Sequence, residues 1–204
     1  MLGGTDVGTT WLQGPDHIRR TIIKSIETDL PGIYAALCAQ WGVSTDNLPY
    51  IDQFDSDEPL GGMGEQLGYV TMNMPSANSM TPVSIDDAIA EEFRVNYSCR
   101  LYTYVKTGAD PEENEGGYAR INRIRDMTAA AIRAAILFTP SFHSDDLELQ
   151  HTTLVENYSD IMSVNGDRWI AAFYHEFDVK ADERLVRPLL GHANTIIPTI
   201  QTME

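Results

Sequence analysis

The glycine-rich run at residues 61–64 is the first place where the sequence could bind a phosphate. A phosphate-binding loop leads from its glycines into a helix and carries a lysine followed by a serine or threonine. Here the run is flanked by carboxylates instead, at Asp55, Asp57, Glu58 and Glu65. Because these groups repel a nucleotide, we interpret residues 55–65 as an acidic surface loop, and we predict no cofactor.

The histidines are spaced without a metal-ligand pattern. None pairs with another at the spacing of a helical or finger-type site; the five are His17, His143, His151, His175 and His192. Two interpretations of His143 with Asp145 and Asp146 stay open, a surface metal site and a polar turn that aspartate caps. His175 lies in an apolar stripe and is predicted to be a buried packing residue. We predict no metal site.

The sequence also lacks the residues that nucleophilic catalysis needs. The sequence has no Gly-X-Ser-X-Gly turn, and neither cysteine stands in an electropositive setting. Cys38 and Cys99 are isolated thiols, which is typical of a reducing compartment. The N-terminal residues lack the basic and apolar stretches of a secretory signal, and no apolar run approaches the length of a membrane span. We therefore predict no catalytic residues, no enzyme activity and no membrane partner.

Charge is the strongest signal in the composition. The chain has 30 acidic and 14 basic residues among 204, a formal net charge of −16. Such a surface repels phosphate, which argues against specific binding of nucleic acid. Two interpretations stay open: the charge keeps the protein soluble, or it has a role in an assembly.

Periodic apolar residues predict the helices that any site must be built on. Asp16 is a predicted N-cap, and isoleucines between residues 18 and 26 share one helical face. Pro31 is expected to break this helix, so that a second helix runs from Asp29 to about Gln40 and ends at Gly42. A third helix is predicted over 118–138. Its buried stripe is Ile121, Ile124, Thr128, Ile132 and Ala135.

Alternation of apolar and polar residues predicts the strands. It is clearest over 93–105 and 169–180, and a strand over 147–158 is expected to be irregular near His151. Asn165-Gly166 predicts a type I′ hairpin. Residues 43–90 are expected to be a long loop insertion with two short strands, at 50–54 and 67–74.

Together these elements predict a two-layer α+β fold, with one mixed or antiparallel sheet and the helices packed on one face. We expect a single domain over 16–180, which includes the long loop. An N-terminal arm over 1–15 and a C-terminal arm over 181–204 flank it.

The order of elements from about residue 91 to 180 resembles the tail terminator proteins of long-tailed bacteriophages, also called tail completion or minor tail proteins. Four segments carry the resemblance: the strand EFRVNYSCRLYTYVKTG with its acidic turn, the helix YARINRIRDMTAAAIRAAIL, the hairpin SDIMSVNGDRWIAAFYHEFDV and the opening helix IRRTIIKSIETDL. They cover about two-thirds of the chain. The family has no diagnostic short motif, and the 43–90 insertion and the 181–204 tail depart from a minimal member.

The resemblance implies a structural virion protein of the tail and neck that is assembled in the host cytoplasm. Such proteins form a homo-oligomeric ring, a hexamer, at the head-proximal end of the tail tube. The ring ends polymerisation of the tube protein and docks to the head-tail connector or stopper protein. Genomic DNA passes through it without specific binding. No catalytic or metal-binding residue carries over from the family.

A ring of this kind suggests roles for two groups of charged residues. We expect Arg120, Arg123 and Arg133 to lie at a subunit interface, and the acidic residues around 55–65 to line a lumen or an interface. Segments 1–15, 55–80 and 181–204 are long enough to reach a neighbour. Six copies would carry about −96 in total, and an acidic lumen would let DNA slide without sticking.

Three other functions stay open. The first is another neck or tube component, either a head-tail stopper or the tube protein itself. The second is a divalent-metal-dependent enzyme or binding domain that uses the 55–65 acidic loop. The third is a small cytosolic regulator.

Overall fold

The computed structural model describes residues 14–44, 51, 53–54, 68–86, 90–107, 117–159, 161–164 and 168–186. They form two helices and seven strands. The helices are α1 (Gly14–Trp41) and α2 (Gly117–Phe138). The strands are β1 (Gln53–Phe54), β2 (Gly68–Met72), β3 (Ser76–Asp86), β4 (Ala90–Thr107), β5 (Leu147–Tyr158), β6 (Met162–Val164) and β7 (Arg168–Val186).

One sheet contains all seven strands. Its order is β1-β2-β4-β7-β5, β3 also pairs with β4, and β6 also pairs with β7. The β1–β2 pair is parallel and every other pair is antiparallel. Both helices pack on this sheet, so the predicted two-layer α+β fold with a mixed sheet is confirmed.

The two faces of the sheet follow from alternation along β4 and β7. Their odd-numbered residues pair with one another, as in Val95 with Ala181 and Leu101 with His175, and these side chains are buried. We call this the helix-side face. The even-numbered residues, such as Arg94 and Asp182, form the opposite face, which we call the open face. The predicted alternation of both strands is therefore confirmed.

Pro31 does not divide the first helix in two, as the sequence predicted. It lies inside α1, a single helix of 28 residues. Its exposed position explains why the helix continues: the carbonyl of Glu27, which has no amide donor at Pro31, lies on the solvent side where water can bind it. The helix also begins at Gly14, so Asp16 lies in its first turn and bonds to Arg19 there.

Gly42 ends α1 as predicted. Its φ of +68° is in the left-handed region, where a glycine has no steric cost. The amide of Gly42 donates to Ala39 at 3.3 Å and that of Val43 to Cys38 at 3.0 Å. These two bonds satisfy carbonyls at the helix end, and Val43 packs against the core.

The end of α2 is fastened to the middle of α1 by a strained turn. Phe142 and His143 both have positive φ, at 52° and 55°, which is costly for residues with side chains. The Phe142 ring is buried and stacks on Phe177, with centroids 6.0 Å apart. His143 Nε2 lies 2.9 Å from both carboxylate oxygens of Asp29, and Thr139 Oγ1 donates to Asp29 Oδ2 at 2.6 Å. These contacts hold the turn in place.

Two segments predicted to be irregular are strands. β3 falls in the expected loop insertion and pairs with β4, and β7 continues through 181–186 of the expected C-terminal arm, where it pairs with 90–95 of β4. The expected irregular strand β5, the short strands β1 and β2 and helix α2 are confirmed. The β6–β7 hairpin is confirmed too, but its turn at 165–167 lies outside the described residues. So do residues 1–13 and 187–204 of the predicted arms.

Candidate assembly surface

The two central strands run far past the helix that covers them. β4 and β7 have 18 and 19 residues, which span about 60 Å, whereas the 22 residues of α2 span about 33 Å. Helix α2 begins against Trp169, where the Tyr118 and Trp169 rings lie 5.8 Å apart. It therefore ends near residue 179 of β7, and the sheet continues beyond it.

This extension is a three-stranded ribbon. We define the ribbon as β3 together with residues 90–96 of β4 and 180–186 of β7, which pair in that order. Every side chain described in residues 76–83 is exposed. Two of these are large and apolar, Met80 at 58% and Val83 at 55% exposure. No residue from 76 to 83 is charged.

Two side-chain contacts hold β4 to β7 within or beside the ribbon. On the open face Arg94 makes two bonds to Asp182, Nε to Oδ1 at 2.8 Å and an Nη to Oδ2 at 3.0 Å. On the helix-side face the Tyr97 hydroxyl donates to Glu183 at 2.5 Å, and both residues are buried. A ribbon braced on both faces can keep its shape while projecting.

The free edge of β3 is poorly suited to adding another strand. Pro82 has no amide hydrogen to donate, and the register with β4 shifts between Ala77 and Ser79 and again between Pro82 and Ser84. Prolines and bulges are the usual protection of edge strands against pairing.

A trough of about 450 Å³ lies beside the ribbon on the open face of the sheet. We call it the trough. Its lining includes Ser98 and Arg100 of β4 and Glu176 and Asp178 of β7. Arg100 forms an ion pair with Glu176, and Ser98 Oγ donates to Asp178 at 2.5 Å. Exposed apolar side chains stand on either side, Met74 at 55% between β2 and β3 and Val155 at 51% in β5.

The irregularity in β5 builds one wall of the trough. Gln150 pairs with Asp178 but Val155 pairs with Glu176, so β5 has three extra residues between the two pairs. Thr153 stabilises this bulge: its hydroxyl donates to the Gln150 carbonyl at 2.8 Å and accepts the amide hydrogen of Asp178 at 2.8 Å. A side chain thus replaces a ladder bond that the bulge would have removed.

Because three is an odd number, the bulge also exchanges the two faces of β5. Leu147 and Leu149 face the helix side before it, and Glu156 and Tyr158 do so after it. A carboxylate oxygen of Glu156 then lies 3.6 Å from Nε2 of the fully buried His175. The same carboxylate accepts a hydrogen bond from the Tyr158 hydroxyl at 2.8 Å and forms an ion pair with Arg133 at 2.5 Å. The nearby imidazole, the hydroxyl and the guanidinium lower the pKa of Glu156 to about 2 against the cost of burial.

The three arginines predicted at an interface are not equivalent. Arg133 is exposed but already pairs with Glu156 of the same chain, so it fastens α2 to β5. Arg120 and Arg123 are half-buried and do not share the exposed position of Arg133. Their role at a subunit interface stays a prediction. The acidic candidates Asp55, Asp57, Glu58 and Glu65 lie outside the described residues.

Charge is divided unevenly between the described ranges and the rest of the sequence. The described ranges hold 15 of the 30 acidic residues and 13 of the 14 basic ones, a net charge of −2. The remaining −14 belongs to the other segments, chiefly 45–67 and 108–116. The sheet and helices are therefore nearly neutral, and most of their exposed cations are already paired with carboxylates.

Sequence reasoning missed the ribbon and the trough. Met80, Val83, Met74 and Val155 follow no period, so apolar patterning gave no signal. The prediction that His175 is buried is confirmed; its ring packs edge-on against Phe173 at 5.6 Å.

Comparisons with known proteins leave the site to be interpreted from its geometry. No protein-family profile matches the chain, and a search of curated proteins finds no match. Across the described ranges no three His, Cys, Asp or Glu side chains are grouped so that they could hold a metal ion. Neither described helix has the length and hydropathy needed to cross a membrane. Cys38 and Cys99 are buried, and burial raises the pKa of both thiols.

Proposed function

We propose that this protein is a structural subunit of the tail terminator kind. Six copies form a ring at the head-proximal end of a phage tail tube, end polymerisation of the tube protein and dock to the head-tail connector. It is a component of the virion, it is assembled in the host cytoplasm, and it has no catalytic role. The order of its helices and strands supports the proposal, since it is the order on which the resemblance rests.

The observation that carries the proposal is the ribbon. A subunit of a closed ring needs two different surfaces, one of which reaches its neighbour, because ring contacts are head to tail. Strands β4 and β7 outrun α2, and β3 beside them exposes Met80 and Val83 in the uncharged stretch 76–83.

The distribution of charge is compatible with assembly around DNA. Copies with a net charge of −16 repel one another, so their contacts must use surfaces without an excess of one sign. The uncharged stretch 76–83 of β3 and the nearly neutral described ranges supply such surfaces. The acidic segments then remain for surfaces where DNA passes, and there repulsion between carboxylate and phosphate keeps the genome from sticking.

Light scattering and electron microscopy of the purified protein, alone and mixed with tube subunits, test the proposal. We expect closed rings of six times the chain mass of 22.7 kDa, and rings seated at one end of each tube. Tube assembly should stop when the protein is added.

Other outcomes identify the alternatives. Polymerisation into tubes by the protein alone would mark it as the tube protein, and binding to connectors without capping tubes would mark a stopper. A protein that stays monomeric with tube and connector subunits present is not a terminator. Stoichiometric binding of calcium, magnesium, manganese or zinc in calorimetry, lost in Asp55→Ala and Asp57→Ala, would instead support the metal-dependent alternative.

A further inference from the structure

We infer that His175 and Glu156 form a pH-sensitive latch, which fastens β7 to β5 and α2 when the imidazole takes up a proton. His175 lies in the middle of β7, and its ring is fully buried on the helix-side face. Glu156 is the residue of β5 that pairs with it across the two strands. The latch lies within one copy of the chain, so it does not depend on the proposed ring.

The imidazole has no hydrogen bond in the part of the chain that the structure describes. Neither ring nitrogen of His175 has a partner there, and the 3.6 Å from Nε2 to Oε1 of Glu156 is too long for a hydrogen bond. The carboxylate itself is already held in place. Its Oε1 accepts the Tyr158 hydroxyl, and its Oε2 pairs with Arg133 of α2. A fixed carboxylate thus faces a buried imidazole that lacks a partner.

Proton uptake by the imidazole turns this contact into an ion pair. Both nitrogens of an imidazolium are donors, and opposite charges attract far more strongly in a buried site than in water. The imidazole, the Tyr158 hydroxyl and Arg133 lower the pKa of Glu156 to about 2 against the cost of burial, so the carboxylate is ionised wherever a histidine titrates. A movement of about 1 Å brings Nε2 of His175 to bonding distance.

The ion pair with Arg133 leaves the carboxylate able to attract this proton. The Arg133 side chain is 47% exposed, whereas that of Glu156 is 13% exposed and that of His175 is fully buried. Water therefore screens the guanidinium more than it screens the pair beneath it. With the imidazolium bonded, one carboxylate joins β5, β7 and α2 at a single point.

Among the described residues, the neighbouring elements bring no second carboxylate within ion-pair distance of His175. In α2, Asp126 forms an ion pair with Arg125. The titratable groups buried nearby in the other elements stay neutral because burial raises the pKa of each: Cys99 of β4, and Tyr34 and Cys38 of α1. Glu156 is therefore the group that decides whether the imidazole holds a proton.

NMR titration of the imidazole ring from about pH 5 to about pH 8 tests the latch. The His175 signal, identified by its loss in His175→Gln, should titrate in the folded wild type. Glu156→Gln keeps the shape of the side chain without its charge, and should move the midpoint lower by about one pH unit or more, a tenfold weaker affinity for the proton. Arg133→Gln removes the competing cation and should move the midpoint higher.

The opposite directions separate charge coupling from simple loosening, which would move both midpoints the same way. Glu148→Gln, at an exposed glutamate of β5, is the matched control and should leave the midpoint unchanged. Where His175→Gln does not fold, the signal is assigned by replacing the other four histidines in turn.

Amide hydrogen exchange shows whether the proton fastens the strands. Corrected for its intrinsic pH dependence, exchange at the β5–β7 pairs around Glu156 should be several-fold slower below the midpoint than above it. The inference is overturned by a His175 signal that stays constant over this range, or by a midpoint that Glu156→Gln leaves in place. A coupled titration with unchanged exchange would overturn it too, because the pair would then fasten nothing.

Discussion

One hydroxyl in β5 holds together the most irregular part of the sheet. Thr153 Oγ1 accepts the Asp178 amide and donates to the Gln150 carbonyl, so it supplies both bonds that the bulge would otherwise lack. The bulge in turn forms a trough wall and directs Glu156 toward His175. The geometry of two regions therefore depends on the chemistry of a single side chain.

Replacing Thr153 with valine should destabilise the protein by about 1–3 kcal/mol, because the Asp178 amide loses its acceptor while the side-chain shape is kept. Urea denaturation measures the loss as a lower midpoint with an unchanged slope. Thr153→Ser retains the hydroxyl and should lose much less. Equal losses in the two variants would show that the methyl group, and not the hydroxyl, matters.

Glu156 should make stability depend on pH in the acid range. Its pKa in the fold is lowered to about 2 from an ordinary 4.5, so the folded state favours the carboxylate. That contribution is fully present above about pH 5 and is lost as pH falls toward 2. Because its partner Arg133 is half exposed, solvent screening reduces the contribution to roughly 1–2 kcal/mol.

Denaturation of wild type and Glu156→Gln at several pH values tests this expectation. The wild type should be more stable by that amount at pH 7, and the two curves should converge as the pH falls through the acid range. Glu148→Gln, at an exposed glutamate of the same strand, should change stability by less than about 0.5 kcal/mol at every pH. A constant difference between wild type and Glu156→Gln would contradict the prediction.

Among the elements, α1 shows how exposure decides whether a proline breaks a helix. Pro31 is on the solvent side, where a lost backbone bond is replaced by water, so twenty-eight residues still form one helix. Its apolar face continues past the proline through Tyr34 and Cys38, both buried. Packing of this face outweighs the local preference of one residue.

Pro31→Ala should therefore stabilise the protein by about 1–2 kcal/mol. The alanine restores the backbone hydrogen bond to the Glu27 carbonyl and removes the steric clash of the proline ring. Part of this gain is lost because alanine raises the conformational entropy of the unfolded chain. Gly32→Ala at the next position tests helix preference alone. A Cβ there meets nothing within 4 Å, and the gain should be about 0.5–1 kcal/mol. Melting temperatures of the two variants provide the comparison. A lower melting temperature for Pro31→Ala would show that the fold needs the proline.

The elements that sequence predicted well are those with one buried and one exposed face. Strands β4 and β7 bury every second residue and α2 every third to fourth. Their patterns gave their positions to within three residues, except that β7 continues six residues past its predicted end at 180. β3 has no such pattern because its described side chains, from Ser76 to Val83, are all exposed. It is a strand because β4 pairs with it, and pairing of this kind leaves no mark on the sequence of β3 itself.

The candidate site was beyond prediction for the same reason. The sequence gives no sign that β5 has three extra residues, and without that number the face of Glu156 cannot be assigned. Its bond to Arg133, placed by the sequence at a subunit interface, could not be foreseen either. Buried positions were readable from the sequence, whereas positions set by a change of register were not.

On the scale of the whole molecule, charge should make assembly depend on salt. The described ranges carry a net charge of −2 while the whole chain carries −16, so repulsion between copies would come chiefly from the charge of the remaining segments. Raising salt from about 20 mM to about 200 mM shortens the range of this repulsion. We expect the concentration needed for half assembly to fall several-fold, as sedimentation or light scattering can measure.

The control for this experiment is sucrose at equal osmolality, which should leave the assembly concentration nearly unchanged. The opposite salt effect, dissociation as salt rises, would mean that ion pairs between copies dominate. It would then favour the contacts first expected for Arg120, Arg123 and Arg133 over a contact through the uncharged stretch 76–83.

The register of β4 and β7 has a mechanical consequence. Their pairing runs unbroken from Ala90 to Thr107, and its hydrogen bonds are perpendicular to the strands. Tension between the end of the pair at Ala90 and the end at Thr107 acts along the strands. The hydrogen bonds between β4 and β7 are then loaded in shear, so they share the load and must break together. A force across the strands would open them one pair at a time. A contact that pulled on the protein along these two strands would therefore load it in its strongest direction.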